Sequence, residues 1–207
     1  MSAPAGQPHP HLTGRIVDAV DDVDAAWPVA RASVPFESGY LDLVVDDIVG
    51  PDGAHHTRSV VHTTDSVMVL AIDDADRVLF VQQYRHPMRR RMAELPAGKV
   101  DVAGESPLQT AQRELAEEAD LVAEHWTPGP ELVAASGYST ESFHLFTATG
   151  LRPVPETERT VREAEEADME HWWVPFDVAV ECALTGRVKN AATCTSLLAQ
   201  ALERARR

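Results

Sequence analysis

Three glutamates, Glu114, Glu117 and Glu118, fall within five residues of one predicted helix, beside its apolar stripe. Glu114 and Glu118 are like charges four residues apart, which oppose the helix by about 0.2–0.5 kcal/mol, and the helix dipole disfavours acids near its C-terminus. A bound divalent cation would neutralise them, and carboxylates without Cys or His favour Mg²⁺, with Mn²⁺ as the alternative. A solvated acidic face is the competing interpretation of the helix alone.

The helix that carries these acids is predicted from its first turn. Ser106 and Gln109 form a capping box, and Pro107 occupies the first helical position, where its missing N–H donor is harmless. Arg113 stands four residues before Glu117, so we expect it to pair with one carboxylate and not with all three. The predicted buried stripe consists of Leu108, Ala111, Leu115 and Ala119.

The loop before this helix makes the metal interpretation the stronger one. Gly98, Glu105 and the run RELAEE at residues 113–118 resemble the signature of the Nudix hydrolases. That signature is Gly, five residues, Glu, seven residues, and then Arg-Glu-apolar-any-Glu-Glu-any-Gly-apolar. So many identities at fixed offsets on a predicted loop and helix are far more specific than a glycine motif alone.

Two positions depart from the signature. Six residues, 99–104, separate Gly98 from Glu105 where the pattern has five, and a loop that contains Gly104 tolerates such an insertion. Asp120 replaces the last glycine. Glycine there would suit a left-handed helix end, and Asp is one of the few other residues that adopt this conformation.

The resemblance implies a metal site and the residues that support it. Arg113 would orient the carboxylates, and Glu105 would either do the same from the loop or bind a further metal ion. Glu117 would assist the other two helix glutamates in holding the metal. The implied metal ligands are the backbone carbonyl of Ala97 and the side chains of Glu114, Glu117 and Glu118.

The run LPAG at residues 95–98 is similar to the branch of the family that hydrolyses ADP-ribose. In that branch an arginine after a Gln-Tyr pair contacts the substrate, and the resemblance assigns this role to Arg85. Glu94 is either a substrate contact or a polar edge residue. Arg91 belongs, with Arg85, Arg89 and Arg90, to a cluster that either binds phosphate oxygens or is only an exposed basic connection.

A second chemical hypothesis concerns the loop at residues 136–141. The ADP-ribose branch places here a glutamate that acts as general base or orients the attacking water, and the glutamate of this loop is Glu141. Taken alone, a loop glutamate is more often only solvated. The branch also commonly has a proline where this chain has Ser136.

The resemblance therefore implies Mg²⁺-dependent hydrolysis of a nucleoside diphosphate derivative, with ADP-ribose giving AMP and ribose 5-phosphate. Ser136 and Asp120 keep a nucleotide sugar or a dinucleotide open as the substrate. A Nudix fold that binds a nucleotide without hydrolysing it, as a sensor, is the alternative from another class. The three helix carboxylates argue against that alternative.

Together with the resemblance, the predicted strands and helices of the rest of the chain indicate an α/β (α+β) Nudix fold, a mixed sheet sandwiched between helices. Apolar runs at residues 66–72 and 78–84 predict a hairpin-like pair of strands that is covered on both sides. Further predicted strands cover residues 131–135, 143–147 and 169–174. Two closing helices are predicted at residues 175–184 and 190–205.

Three regions are predicted along the chain: a loose tail at residues 1–11, an N-terminal antiparallel sheet at 12–62 and the catalytic domain at 63–207. In the ADP-ribose branch such a sheet packs against a second subunit, so the resemblance implies a homodimer. Phe36 or Tyr40 could stack on an adenine, but burial within the sheet is the commoner use of an aromatic residue.

The composition of the chain limits the classes of partner that we expect it to bind. The chain of 207 residues has 33 acidic and 18 basic side chains, a net charge of −15, which argues against nucleic acid or an anionic membrane. We expect a cytoplasmic enzyme, because no signal peptide or spanning segment is recognisable. Cys182 and Cys194 are predicted to be reduced core residues, and Glu163, Glu165 and Glu166 to be solvated.

Overall fold

The structure, a computed structural model, describes residues 6–162 and 167–206. The predicted acids Glu163, Glu165 and Glu166 lie outside the described residues, as do the first five residues of the predicted tail. Three helices are present in the described part: α1 (Pro107–Ala119), α2 (Phe176–Leu184) and α3 (Ala191–Ala205). The strands are β1 (Gln7–Pro8), β2 (Arg15–Ile16), β3 (Val29–Glu37), β4 (Asp42–Val49), β5 (His55–His62), β6 (Ser66–Ala71), β7 (Arg77–Arg85), β8 (Arg90–Glu94), β9 (Ala97–Lys99), β10 (Leu121–Val133), β11 (Ser142–Pro153) and β12 (Glu170–Pro175).

The chain divides into two compact units. The first comprises residues 1–33 and 45–58, and the second comprises residues 34–44 and 59–207. In the first unit, β1 pairs with β2, and His55 lies 3.0 Å from the carboxylate of Asp47. Strands β3, β4 and β5 form a three-stranded sheet in that order. Every residue of β3 is exposed.

Two sheets organise the second unit. One has the order β10-β11-β6-β9 and is mixed, since β11 and β6 are parallel and the other neighbours antiparallel. The other has the order β12-β7-β8 and is antiparallel. The expectation that β6 and β7 pair as a hairpin is wrong, because they meet only at the bridge between Ile72 and Val78. Each strand instead pairs over six residues with a strand from later in the chain, β6 with β11 and β7 with β12.

Strand β6 is buried on both faces, as its continuous apolar sequence predicts. Because side chains alternate along a strand, its two faces enter two different clusters. Met68 and Leu70 join a core packed against α2 and α3, whereas Val67 and Val69 join a core that includes residues of α1. The predicted mixed sheet between helices is thereby confirmed.

The predicted helix boundaries are confirmed. Ser106 caps α1 with both bonds of the capping box in place, and Asp120 ends the helix in the left-handed conformation at φ 53°. Asn190 caps α3 by accepting from the Thr193 amide. Leu108 departs from the predicted buried stripe, since 37% of it is exposed.

Strand β10 is the element that the sequence analysis underestimated. It begins directly after Asp120 and runs 13 residues, where only residues 131–135 were predicted as a strand. The sequence predicted no strand around Pro128 and Pro130, because proline is depleted in strands except at edges and bulges. Here β10 is an edge strand with a register shift between Pro128 and Glu131.

No helix in the described ranges is long and apolar enough to cross a membrane. Cys182 and Cys194 are free thiols and pack partly buried against the core, as predicted. Burial raises the pKa of the Cys194 thiol.

Candidate active site

Two of the helix glutamates lie against the short strand β9. The Ala97 amide donates to Oε2 of Glu118 over 2.9 Å, and Glu118 is only 3% exposed. A Cβ atom built on Gly98 would lie 1.9 Å from the carboxylate carbon of Glu114 and 2.0 Å from its Oε1. Only glycine leaves room for that carboxylate, which is a physical reason for the first glycine of the motif.

Arg113 lies at the centre of the acidic cluster. Its Nε donates to Glu105 over 3.2 Å, and its Nη1 donates to Glu114 over 2.8 Å and to Glu117 over 2.9 Å. The expectation that Arg113 would pair with one carboxylate is therefore wrong. The guanidinium has five N–H donors in a planar fork, so one side chain reaches several acids. Burial alone would lower the pKa of Arg113, but Glu114, Glu117 and Glu105 together raise it, so the side chain remains charged.

Glu105 is tied to the first turn of α1 as well as to Arg113. Its Oε2 accepts from Oγ1 of Thr110, a residue with no exposed surface. Gly104, at φ +88°, gives the longer loop a conformation that other residues rarely adopt. The extra loop residue therefore leaves Glu105 bonded to the helix.

The donor atoms around β9 fit a hard divalent cation by type. The carboxylates of Glu114 and Glu118 lie against β9, and carboxylate oxygens suit Mg²⁺ or Mn²⁺. Among the residues that the structure describes, no group of three or more acidic, His or Cys side chains is arranged around a common metal position. In this structure the carboxylates of Glu114 and Glu117 accept hydrogen bonds from Arg113, and the carboxylate of Glu118 accepts one from the Ala97 amide.

Two distant side chains contact the C-terminal end of α1. Nη2 of Arg162 donates to the Asp120 carboxylate over 2.7 Å, and its Nε donates to the Glu117 carbonyl over 3.0 Å. Nε2 of His171 lies 2.6 Å from the Glu118 carbonyl. Helix ends leave such carbonyls without partners in the helix. The sequence carried no local signal for either contact, since Arg162 and Glu117 are 45 residues apart.

A cleft of about 240 Å³ lies beside β9. Arg85 lines it, and its guanidinium pairs with Glu94 over 2.8 Å. Glu94 is 3% exposed, and its other oxygen accepts from the Asn190 amide over 3.0 Å. Arg85 thus lies in the cleft with its direction fixed by a buried acid, and Asn190 is a site residue that the sequence analysis missed.

Glu141 lines the same cleft. Its Oε1 accepts from Oγ of Ser66 over 2.6 Å and from Nζ of Lys99 over 2.7 Å. Tyr40 also lines the cleft, with its ring centroid 5.5 Å from Nζ of Lys99. Ser66 and Lys99 were not predicted, because a serine and a lysine in short strands carry no motif.

Other predicted residues lie elsewhere. Arg91 pairs with Asp168 and Gln82 and lines a separate cavity of about 350 Å³ beside α2. The structure does not bring it to the cleft with Arg85. The expectation that Phe36 and Tyr40 are buried within the sheet is wrong: they are 54% and 68% exposed, because β3 is uncovered along its length and Tyr40 lies beyond its end.

The fold has a solved counterpart. A crystal structure of an ADP compounds hydrolase superposes with a TM-score of 0.73, covering 86% of this chain and 94% of that one at 18% identity. At that identity the likeness concerns the fold alone. The NUDIX domain matches residues 62–195, which is more than half of the sequence. The chain therefore belongs to the Nudix family.

Two curated relatives are similar over most of their length. An ADP-ribose pyrophosphatase of Mycobacterium tuberculosis is 42% identical over 154 residues, which are 74% of this chain and 73% of that protein. An ADP-ribose pyrophosphatase of Bacillus subtilis is 33% identical over 149 residues, which are 72% of this chain and 76% of that protein.

Proposed function

We propose that this protein hydrolyses the diphosphate of ADP-ribose to AMP and ribose 5-phosphate, with Mg²⁺ as the cofactor and Mn²⁺ as an alternative. The observation that carries the proposal is one cleft lined by Arg85, Glu141, Ala97 and Gly98. Glu118 of α1 accepts from the Ala97 amide, and Glu114 lies against Gly98. The two ADP-ribose pyrophosphatases to which the chain is similar support the choice of substrate.

Arg85 binds the substrate in this proposal. Its side chain is 36% exposed in the cleft, so the guanidinium can donate to phosphate oxygens while its ion pair with Glu94 keeps it in place. Glu94 itself is a positioning residue, because both of its oxygens already accept protein donors and little of its surface is open. We propose this positioning role in place of the substrate contact and the polar edge residue that the sequence left open for Glu94.

The metal would be held by the Ala97 carbonyl and by Glu114 and Glu118, assisted by Glu117. When bound, it supplies charge that neutralises the diphosphate oxygens and lowers the pKa of a coordinated water. Arg113 keeps the carboxylates of Glu114 and Glu117 directed to one side of α1. By donating to Glu105, Glu114 and Glu117, this arginine limits the mutual repulsion of the three acids.

Glu141 accepts the proton of the attacking water in this proposal. Its carboxylate lies in the cleft that Arg85 lines, and among the described residues both donors to it meet the same oxygen, Oε1. A general base must lie within hydrogen-bond reach of the water it activates. The second oxygen, Oε2, is the one assigned to that water.

The substrate is tested by measuring Mg²⁺-dependent product release from ADP-ribose beside nucleotide sugars and dinucleotides. We expect AMP and ribose 5-phosphate from ADP-ribose at the highest kcat/KM of the panel. A higher kcat/KM for a nucleotide sugar or dinucleotide would replace the substrate but keep the chemistry. No turnover of any compound, with metal bound, would favour a nucleotide sensor over an enzyme.

We also propose that the protein is a homodimer formed through the N-terminal sheet. Strand β3 is a sheet edge exposed along its whole length and presents Val34 and Phe36, 52% and 54% exposed. Exposed edges and apolar side chains commonly mark an interface. Sedimentation should give twice the chain mass for the wild type and a shift towards monomer for Phe36→Asp. A monomeric wild type at micromolar concentration would contradict the proposal.

A further inference from the structure

Two neighbouring strands converge on the side chain of Glu141. Ser66 of β6 and Lys99 of β9 are direct partners in the antiparallel ladder. Directly opposite residues place their Cβ atoms about 4.5–5.5 Å apart on one face of the sheet. The hydroxyl and the ammonium therefore point to the same place, and both donate to Oε1 of Glu141, over 2.6 and 2.7 Å. We refer to Ser66 and Lys99 together as the cross-strand cradle.

Lys99 is itself held in place. Its Nζ donates to Oγ1 of Thr63 and to the Thr64 carbonyl, both over 3.1 Å, so three oxygen acceptors surround one ammonium. Only 19% of the side chain is exposed. A compact ammonium with three rotatable donors suits this arrangement better than the planar fork of an arginine. Lysine is rare in this chain, with only Lys99 and Lys189 against 16 arginines.

The backbone beside Glu141 is fixed by other bonds. The Glu141 carbonyl accepts from the Ala134 amide over 2.9 Å, and the Thr140 amide donates to the Val61 carbonyl over 3.1 Å. These bonds fix where the side chain begins and leave its three torsions undetermined. The cross-strand cradle determines where the Glu141 carboxylate lies, because charge-assisted bonds to one carboxylate oxygen are short and directional.

We propose that Lys99, together with Ser66, is a positioning residue that holds the Glu141 carboxylate in the cleft for water activation. This inference rests on the proposed hydrolytic function and on the role of Glu141 as its base. Misplacement of a reacting group by about 1 Å can cost about a hundredfold in rate. The competing role for Lys99 is a direct contact with a substrate phosphate.

A double-mutant cycle separates these two roles. We expect Lys99→Met to lower kcat at least tenfold while KM changes less than threefold, and Ser66→Ala to lower kcat by a smaller factor. In the Glu141→Gln background, Lys99→Met should lower kcat less than twofold further, because the group it positions is already gone. Lys189→Met, which alters the only other lysine, is the matched control and should keep wild-type kinetics.

If Lys99→Met lowered kcat by the same factor in the wild-type and Glu141→Gln backgrounds, the proposal would be overturned, since Lys99 would then act on the substrate directly. Full activity of Glu141→Gln would also overturn it. If Lys99→Met does not fold, Ser66→Ala is a smaller change that still tests the positioning role.

A second readout does not depend on turnover. Hydrogen exchange at residues 136–142 should be faster in Lys99→Met and Ser66→Ala than in the wild type and in Lys189→Met. Unchanged exchange in both cradle variants would contradict the positioning role. If the wild type failed to cleave any diphosphate substrate, the proposed function would fail, and this measurement would still decide whether the cradle holds the loop.

Discussion

Arg162 donates to the Asp120 carboxylate over 2.7 Å at the residue where the signature of the family has its last glycine. Asp120 has the left-handed conformation that glycine would supply, at φ 53° and ψ 35°. The same arginine donates to the Glu117 carbonyl. In this chain the departure from the signature is thus coupled to a side chain that caps the end of the helix bearing the proposed metal ligands.

This coupling predicts different stabilities for two substitutions at one position. Asp120→Gly loses the pair with Arg162 but removes left-handed strain, so its free energy of unfolding should fall by less than about 1 kcal/mol. Asp120→Ala loses the pair and keeps the strain, so it should be about 1–2 kcal/mol less stable than Asp120→Gly. Chemical denaturation of both variants measures the difference. Equal stabilities would show that the left-handed conformation carries no cost here.

Gly98 makes the site sensitive to a single methyl group. A Cβ atom there would lie about 2 Å from the Glu114 carboxylate, the far end of a flexible side chain that can move away. Gly98→Ala should therefore change stability little and lower Mg²⁺-dependent kcat at least tenfold, because it displaces the carboxylate that we propose as a metal ligand. Gly39→Ala is the matched control, since its Cβ would meet nothing within 4 Å. Wild-type activity of Gly98→Ala would remove Glu114 from the metal site.

Asn190 links the cap of α3 to Arg85, the arginine that we propose binds the substrate. Its side-chain oxygen accepts from the Thr193 amide, and its amide group donates to Glu94 over 3.0 Å. Asn190→Asp keeps the cap but sets a second carboxylate beside the buried Glu94, whereas Asn190→Ser keeps the cap without that charge. We expect Asn190→Asp to have the lower melting temperature and the higher KM. The reverse order for both quantities would contradict the proposed link between Glu94 and Arg85.

Local chemistry explains why much of the site could be predicted from the sequence. The capping box at Ser106 and the acids of α1 lie within one helix, where spacing along the chain determines which side chains share a face. Glu141 was found only through family resemblance, which also singled out Arg85 from the cluster of arginines around it. Lys99, Asn190 and Arg162 were missed, because their partners lie 42, 96 and 42 residues away. The split of β6 and β7 into two sheets likewise depends on partners that follow much later in the chain.

The turn at Asp73 should make part of the stability depend on pH. Burial tends to raise the pKa of Asp73, but the hydrogen bonds and charge of Arg77 outweigh it, and the pKa falls below its ordinary value of 3.8. A carboxylate with a lowered pKa stabilises the fold above its ordinary pKa, and this contribution is lost as the pH falls through the lowered value. Asp73→Asn should therefore be less stable than the wild type at pH 7, and the two should converge in acid. A difference that stays constant down to pH 2 would contradict this assignment.

Glu118 tests the central claim, that the acids of α1 hold the metal used for hydrolysis, more directly than any other residue. Glu118→Gln keeps the size of the side chain and removes its charge, while Glu181→Gln alters an exposed helical glutamate of α2 as the matched control. The measurement is Mg²⁺-dependent AMP release from ADP-ribose, with the melting temperature of each variant recorded alongside. We predict that Glu118→Gln abolishes AMP release and remains folded, and that Glu181→Gln keeps wild-type activity. Undiminished AMP release by Glu118→Gln would contradict the account.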